Sequence, residues 1–122
     1  MATKKVRYVI FKIESGNNTL LKMSDASLLN IFRDQMYEMY GSFGMMHFHN
    51  VCLTLFLLHN QIIVLKVPRA IKNEICSAMQ QCKSIAGRNV TFNAIMAKSS
   101  IKRVRAYLKE KFEKEERLRG QR

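Results

Sequence analysis

The sequence predicts an α+β domain in which helices pack against an antiparallel β-sheet. Four segments have the alternation or the β-branched enrichment of strands, and three segments repeat apolar residues at helical spacing. Their order is strand, helix, strand, strand, helix, strand, helix. At 122 residues the chain can bury one core, and 48% of its residues are hydrophobic, which predicts a folded protein.

The first strand and the first helix carry the clearest local signals. Residues 6–14 alternate and are rich in β-branched and aromatic side chains, and the turn residues 15–18 follow them. Ser24 is a predicted N-cap with Asp25 in the first helical turn, and Gly41 is a predicted C-terminal stop. The apolar residues between them are Leu28, Leu29, Phe32, Met36, Met39 and Tyr40.

The remaining elements follow in order along the chain. Residues 48–58 and 61–67 predict the second and third strands, joined in a hairpin by His59 and Asn60. Pro68 suits the first position of the second helix, where its missing N–H costs nothing, and residues 90–98 predict a fourth strand. Ser99 or Ser100 caps the last helix. The apolar stripes are Ile71, Ile75, Ala78, Met79 and Cys82 in the second helix and Ile101, Val104, Leu108 and Phe112 in the last.

This order is the split βαβ arrangement of ferredoxin-like and RNA-recognition-type domains. The prediction is therefore a ferredoxin-like βαββαβ sandwich with an antiparallel sheet and an extra C-terminal helix. Residues 1–112 form a single domain that includes most of the last helix. Residues 113–122 are nearly all charged or polar, and we expect them to form a solvent-exposed C-terminal extension.

Apolar residues occupy both faces of the first two predicted strands. In the first strand Val9, Phe11 and Ile13 alternate with Tyr8 and Ile10. In the second, Val51, Leu53, Leu55 and Leu57 alternate with Cys52, Phe56 and Leu58. A sheet with one solvated face would alternate apolar with polar residues. Two helices cover only one face of this topology, so we expect the last helix, a partner protein or both to cover the other.

A second candidate for protein contact is the elbow of residues 41–46. Its glycines make it flexible, and it carries three large apolar side chains, Phe43, Met45 and Met46. These three residues are the predicted protein interface, although a loop packed on the core would carry the same residue types.

Positive charge is concentrated at the two ends of the chain. Residues 98–122 contain ten basic and four acidic residues, or +6, and residues 1–22 contain five basic and one acidic residue, or +4, of a total of +12. A sequence pI near 10.0 with charge clustered in this way is typical of proteins that bind a polyanion. Nucleic acid is the usual polyanion, because releasing its condensed counterions favours binding.

Two basic clusters are the predicted RNA-binding residues. The first leads into the first strand, and the second straddles the junction between the last strand and the last helix. Because the first and fourth strands are neighbours in this topology, the clusters should meet near one edge, where a capped helix N-terminus can bind phosphate. The third strand has no aromatic residue, so we expect backbone and shape recognition rather than base readout. The residues are Lys4, Lys5 and Arg7, and then Lys98, Ser99, Ser100, Lys102, Arg103 and Lys109.

No residue pattern predicts catalysis by the chain itself. The acidic residues show no clustering suited to two-metal hydrolysis, and no nucleophile–base set or phosphate-cradling glycine loop is present. His47 and His49 lack the further ligands that a metal site needs. We therefore expect no catalytic residue, no metal site and no cofactor.

We expect the protein to stay inside the cell, because the sequence shows neither a secretory signal nor an apolar run long enough to span a membrane. The three cysteines, Cys52, Cys76 and Cys82, should then stay reduced as small buried hydrophobic residues.

Four segments resemble the Pop five subunits of ribonuclease P and RNase MRP. Residues 7–13, Arg-Tyr-Val-Ile-Phe-Lys-Ile, resemble the start of those subunits, and residues 40–44, Tyr-Gly-Ser-Phe-Gly, resemble their G-x-x-G elbow. The strand of residues 63–69 carries Lys66 and Arg69 where theirs carries basic residues, and residues 99–103 resemble their S-G-T-I-[KR] motif. Ser99-Ser100 lacks the usual glycine of that motif, and Asn60-Gln61 lacks an expected turn glycine. The resemblance covers residues 6–108, and the Rpp fourteen type paralogues share this architecture.

The resemblance implies a protein subunit of a ribozyme. The RNA would cleave 5′ leaders from precursor tRNA with magnesium ions that it holds itself, while the protein binds and stabilises the catalytic RNA. The implied partners are that RNA, precursor tRNA indirectly, an Rpp thirty type barrel subunit, and a second copy or an Rpp fourteen type paralogue, with no membrane. The implied location is the nucleus and nucleolus, or the cytoplasm for an archaeal source.

Two other function classes share some of these features. A ribosomal or general RNA-scaffold protein would have the same charge without the protein partner. A small ferredoxin-like enzyme such as an acylphosphatase would need an arginine-bearing glycine loop after the first strand, and Ser15-Gly16-Asn17-Asn18 contains no arginine.

Overall fold

The computed structural model describes residues 5–15, 23–42, 50–57, 60–85 and 88–120. These residues form an α+β, ferredoxin-like fold, as the sequence predicts. The elements are β1 (Val6–Ser15), α1 (Asp25–Tyr40), β2 (Cys52–Leu57), β3 (Ile62–Pro68), α2 (Lys72–Gln81), β4 (Ser84–Ile85), β5 (Arg88–Lys98) and α3 (Ile101–Gly120). The strands form one antiparallel sheet in the order β2-β3-β1-β5-β4.

The first face of the sheet packs against α1 and α2. Val9, Phe11 and Ile13 of β1 point to this side and are almost completely buried. Phe32 of α1 meets Phe92 of β5 edge to face, with ring centroids 5.2 Å apart, a geometry that favours the aromatic quadrupoles. This first core therefore joins both helices to the middle of the sheet.

The second face is covered by α3. Ile10 of β1 and Ile62 and Val64 of β3 have no exposed surface, because Val104 and Leu108 of α3 pack on them. The last helix thus accounts for the apolar second face that the sequence predicts. Met96 of β5 keeps 37% of its surface exposed, so the cover is incomplete at the β5 side.

The alternation predicted for the second strand is wrong at one point. The sequence pattern places Leu53 and Leu55 on the same face, but Leu53 packs on the first core and Leu55 on the second. The register between β2 and β3 shifts between these two residues, so Thr54 is an irregularity that reverses the parity of the rest of the strand. A one-residue insertion of this kind leaves no local signal in an apolar strand.

Pro68 ends β3 and does not begin a helix, contrary to the sequence prediction. Its ψ of 135° is extended, and it pairs with Val6 of β1. A 3₁₀ turn, Arg69–Ile71, intervenes before α2, and the Arg69 N–H donates to the Lys5 carbonyl oxygen at 2.9 Å. Proline fits the end of a ladder because it gives up only one hydrogen bond there.

Among the residues that the structure describes, positive backbone φ angles occur at one predicted boundary and one unexpected position. Gly41 ends α1 with φ 63°, and its N–H donates to the Tyr37 carbonyl oxygen at 2.7 Å. Gln61 adopts φ 53° in the β2–β3 turn, where the sequence lacks the expected glycine. The Gln61 carbonyl accepts from the Ile13 N–H at 2.8 Å, and Lys12 Nζ donates to the Asn60 carbonyl at 2.6 Å. These contacts to β1 hold a turn that a non-glycine residue strains.

The three cysteines are free and occupy three different environments. Cys82 is buried and Cys76 is half-buried, and burial raises the pKa of both thiols. Cys52 is exposed on β2, so the prediction that all three are buried is wrong for this residue. It lies on an edge strand of the sheet, where one side has no neighbouring strand among the described residues.

Candidate nucleic-acid interface

The start of α3 is built by the two serines that follow β5. Ser100 is the N-cap, since its Oγ accepts a hydrogen bond from the Arg103 N–H at 3.2 Å. The Ser100 carbonyl accepts from the Val104 N–H at 3.1 Å, which is the first helical bond. Ser99 is exposed at the bend between strand and helix. Of the two serines proposed as caps, Ser100 takes that role.

The three basic residues of α3 that were predicted to bind RNA lie away from its buried side. Lys102 and Lys109 are exposed and seven residues apart, which places them on one side of the helix, opposite Val104 and Leu108. Arg103 is exposed on a flank. All three side chains are therefore accessible to a ligand that approaches α3 from outside the domain.

The first turn of α3 has the charge that a helix N-terminus disfavours. The macrodipole favours carboxylates there, and α1 and α2 follow this rule with Asp25 and Glu74. In α3 the first turn has no acidic residue, and Lys102 and Arg103 stand in it. Charge placed against the dipole does not stabilise the helix, so helix stability does not account for these two residues.

Acidic residues appear only further along the same helix. The first is Glu110, nine residues after Ile101, or about 14 Å along the axis. Beyond it, Lys111 Nζ pairs with Glu115 Oε1 at 3.1 Å, an exposed i,i+4 pair of small energetic value. The helix continues to Gly120, and residues 113–118 are exposed. The excess positive charge of α3 is thus concentrated in its first half, where residues 101–110 contain four basic residues and one acidic residue, whereas residues 111–120 contain four and three.

The β1 cluster divides between two faces of the sheet. Arg7 is half-buried on the first face, and one of its guanidinium nitrogens donates to the Val6 carbonyl at 2.9 Å. Its neighbour Tyr8 pairs with Lys98 and lies on the second face. Arg7 and Lys98 therefore meet at the same end of the sheet, as expected, but on opposite faces. Lys5 is exposed beside them, and Lys4 lies outside the described residues.

The structure adds three residues to this region that the sequence did not predict, namely Tyr8, Lys66 and Tyr107. Lys98 holds its Nζ over the Tyr107 ring, 5.5 Å from the centroid, which is a cation–π contact. Tyr8 stands between Lys98 on β5 and Lys66 on β3. Strand register and the path of α3 bring Tyr8, Lys66 and Tyr107 to the basic junction. In the sequence, only the alternation that puts Tyr8 on the same face as Ile10 pointed to this position.

The predicted protein interface belongs to the elbow that follows α1. Phe43, Met45 and Met46 lie outside the described residues, as do His47 and His49. Within the described part, Tyr37 and Met39 are exposed near the end of α1 that leads into the elbow.

Neither a metal cluster nor a spanning helix is found in the described part of the chain. No three His, Cys, Asp or Glu side chains come together there in a way that could hold a metal ion. No helix among these residues is both long and apolar enough to cross a membrane.

Comparison with known proteins agrees with the fold and the motifs. The model of the Rpp14/Pop5 family matches residues 7–109. The chain belongs to the Rpp14/Pop5 family. A similar solved structure is a chain of yeast ribonuclease MRP determined by cryo-electron microscopy, with a TM-score of 0.60 and 18% identity, covering 96% of this chain and 95% of that one. At this identity the likeness concerns the fold alone. No curated protein matches the chain.

Proposed function

We propose that this member of the Rpp14/Pop5 family is a non-catalytic protein subunit of ribonuclease P, or of the related RNase MRP. It binds the catalytic RNA and stabilises it for removal of 5′ leaders from precursor tRNA. Family membership and the fold shared with a chain of yeast ribonuclease MRP support the assembly. The observation that supports RNA contact is the basic first turn of α3, with Lys102 and Arg103 placed against the helix dipole.

The proposed RNA surface consists of the β5–α3 junction, the exposed side of α3 and the start of β1. It comprises Lys4, Lys5, Arg7, Lys98, Ser99, Ser100, Lys102, Arg103 and Lys109. None of its described cations is held in an ion pair with a carboxylate, since the ion pairs of the described residues are Arg33–Asp34 and Lys111–Glu115. Contacts of this kind position an RNA backbone without selecting its sequence.

The proposed protein partners are an Rpp thirty type barrel subunit and either a second copy or an Rpp fourteen type paralogue. Family membership supports a place beside other protein subunits in such an assembly. In a eukaryotic cell such a subunit works in the nucleus and nucleolus. The chemistry belongs to the RNA and its magnesium ions, so the protein needs no cofactor.

The test compares two double variants of equal charge. Lys102→Glu with Arg103→Glu alters the α3 basic turn, and Lys72→Glu with Lys83→Glu alters the α2 side of the domain; each lowers the net charge from +12 to +8. Affinity for ribonuclease P RNA should fall about tenfold or more in the first variant, with a salt slope shallower by about 1.4. The second variant should stay close to wild type. Equal losses in both would show a diffuse charge effect and would count against an α3 interface.

A second measurement addresses catalysis. Purified protein with magnesium and precursor tRNA should leave the substrate intact, because the described residues contain no clustered carboxylates. Specific 5′ cleavage that disappears when a carboxylate of this chain is removed would contradict the proposed role.

A further inference from the structure

The second face of the sheet carries a tyrosine between two lysines. Tyr8 on β1 pairs with Lys66 on β3 and with Lys98 on β5, so the three residues form one row across three adjacent strands. Directly opposed residues have Cα atoms about 4.5–5.5 Å apart in antiparallel strands. The lysine stems therefore flank the aromatic side chain on both sides.

All three residues are half-buried, at the margin of the second core. Tyr8 packs against that core from the end of the sheet where α3 begins, next to Ile10. Lys98 is held in place by its contact with the Tyr107 ring, at 5.5 Å. An ammonium group positioned in this way loses little conformational freedom when it binds an anion.

No carboxylate in the described residues neutralises the row. All nine acidic residues of the chain are described, and neither Lys66 nor Lys98 forms an ion pair with one of them. The nearest acidic residue along α3 is Glu110. Two half-buried cations without a protein counter-ion favour an external anion, and the aromatic ring between them favours a planar group attached to it.

We propose that Tyr8 stacks on the base of one unpaired nucleotide of RNA, while Lys66 and Lys98 hold the adjoining phosphates. This inference rests on the proposed function, because it specifies how the same RNA is bound. Since every base has a π-face, such a site favours single-stranded RNA without reading its sequence. The absence of aromatic residues from β3 limits the sheet to one such position, with Lys66 beside it.

The test uses the full chain and a short oligouridylate as the probe. Tyr8→Leu keeps an apolar side chain against the second core but removes the ring, and Tyr8→Phe keeps the ring. Loss of one stacked base should weaken binding about 5- to 150-fold in Tyr8→Leu. The salt slope should remain that of wild type, because no phosphate contact is lost. Tyr8→Phe should bind within twofold of wild type.

Substitutions of the two lysines, unlike Tyr8→Leu, should change the salt slope. Lys66→Gln and Lys98→Gln should each make the salt slope shallower by about 0.7, the value for one phosphate on a single strand. Lys83→Gln, on the α2–β4 connection, is the matched control and should not change the slope.

Fluorescence gives a readout that does not depend on the stability of Tyr8→Leu. The chain has four tyrosines and no tryptophan, so stacking should quench part of its tyrosine emission. Tyr8→Phe should bind the probe but lose that quenching. Equal quenching in wild type and Tyr8→Phe, or unchanged affinity in folded Tyr8→Leu, would overturn the stacking proposal and leave the RNA-subunit role intact. Wild-type binding that ignores salt would overturn that role as well.

Discussion

In the described part of the chain, the first face of the sheet is covered by α1 and α2, whereas the second is covered by α3. Among the described residues, 18 buried side chains form the first core and five form the second. The helices also differ at their starts, since α1 and α2 carry acidic residues there and α3 carries Lys102 and Arg103. The first face is thus organised for stability, whereas α3 combines covering the second face with presenting charge. Four predictions test this division.

The largest expected effect is in the first core. Phe92→Ala removes a fully buried ring and its edge-to-face contact with Phe32. The free energy of unfolding should fall by about 3–5 kcal/mol, as for other buried phenylalanines. Denaturant unfolding followed by circular dichroism measures it. A loss of stability smaller than that of Leu108→Ala would contradict the assignment of the main core to the first face.

A smaller loss is expected under α3. Leu108→Ala should lower the free energy of unfolding by about 2–3 kcal/mol, near the lower end for buried leucines, because the small second core can partly collapse. Leu108 is 5% exposed and packs against strand residues of β1 and β3. The same unfolding experiment applies, and an unchanged midpoint would mean that α3 detaches without cost.

Stability and RNA binding should change in opposite directions at the start of α3. Arg103 lies three residues after the Ser100 cap, where a capping box places Glu or Gln. Arg103→Glu should therefore stabilise the protein by about 0.3–1 kcal/mol while weakening RNA binding. Asp25→Lys is the reciprocal control, since it should destabilise α1 and leave RNA affinity intact. A destabilising Arg103→Glu would show that the arginine supports the fold.

The smallest expected effect concerns the reactivity of the three thiols. It does not change the stability near neutral pH. At pH 8 a thiol reagent should modify exposed Cys52 first, while Cys76 and Cys82 react slowly because burial limits access and raises the pKa of both thiols. Since both thiols have a higher pKa in the folded than in the unfolded chain, their contribution to stability is complete below the unfolded value of about 9.0 and declines above it. Equal rates of modification at all three thiols would contradict the burial of Cys76 and Cys82.

Much of the fold was accessible from local sequence. The Ser24 cap, the Gly41 stop and the order of strands and helices each depend on a few neighbouring residues, and the structure has them where the sequence predicts. Pro68 was misassigned because proline fits both a helix start and a strand end, and pairing with Val6 selects the second. β4 was missed because two residues, Ser84 and Ile85, carry no periodic signal.

The charge asymmetry and the family motifs could likewise be read directly from the residues, because composition does not depend on the path of the chain. The tertiary structure alone showed that the junction includes Tyr8, Lys66 and Tyr107. Register decides which side chains stand opposite each other, and a one-residue shift such as that at Thr54 moves every later side chain to the other face. Likewise, the apolar stripe of α3 shows that this helix must pack against something. Only the assembled sheet determines where, because Ile10 and Val64 on its second face would be exposed without α3.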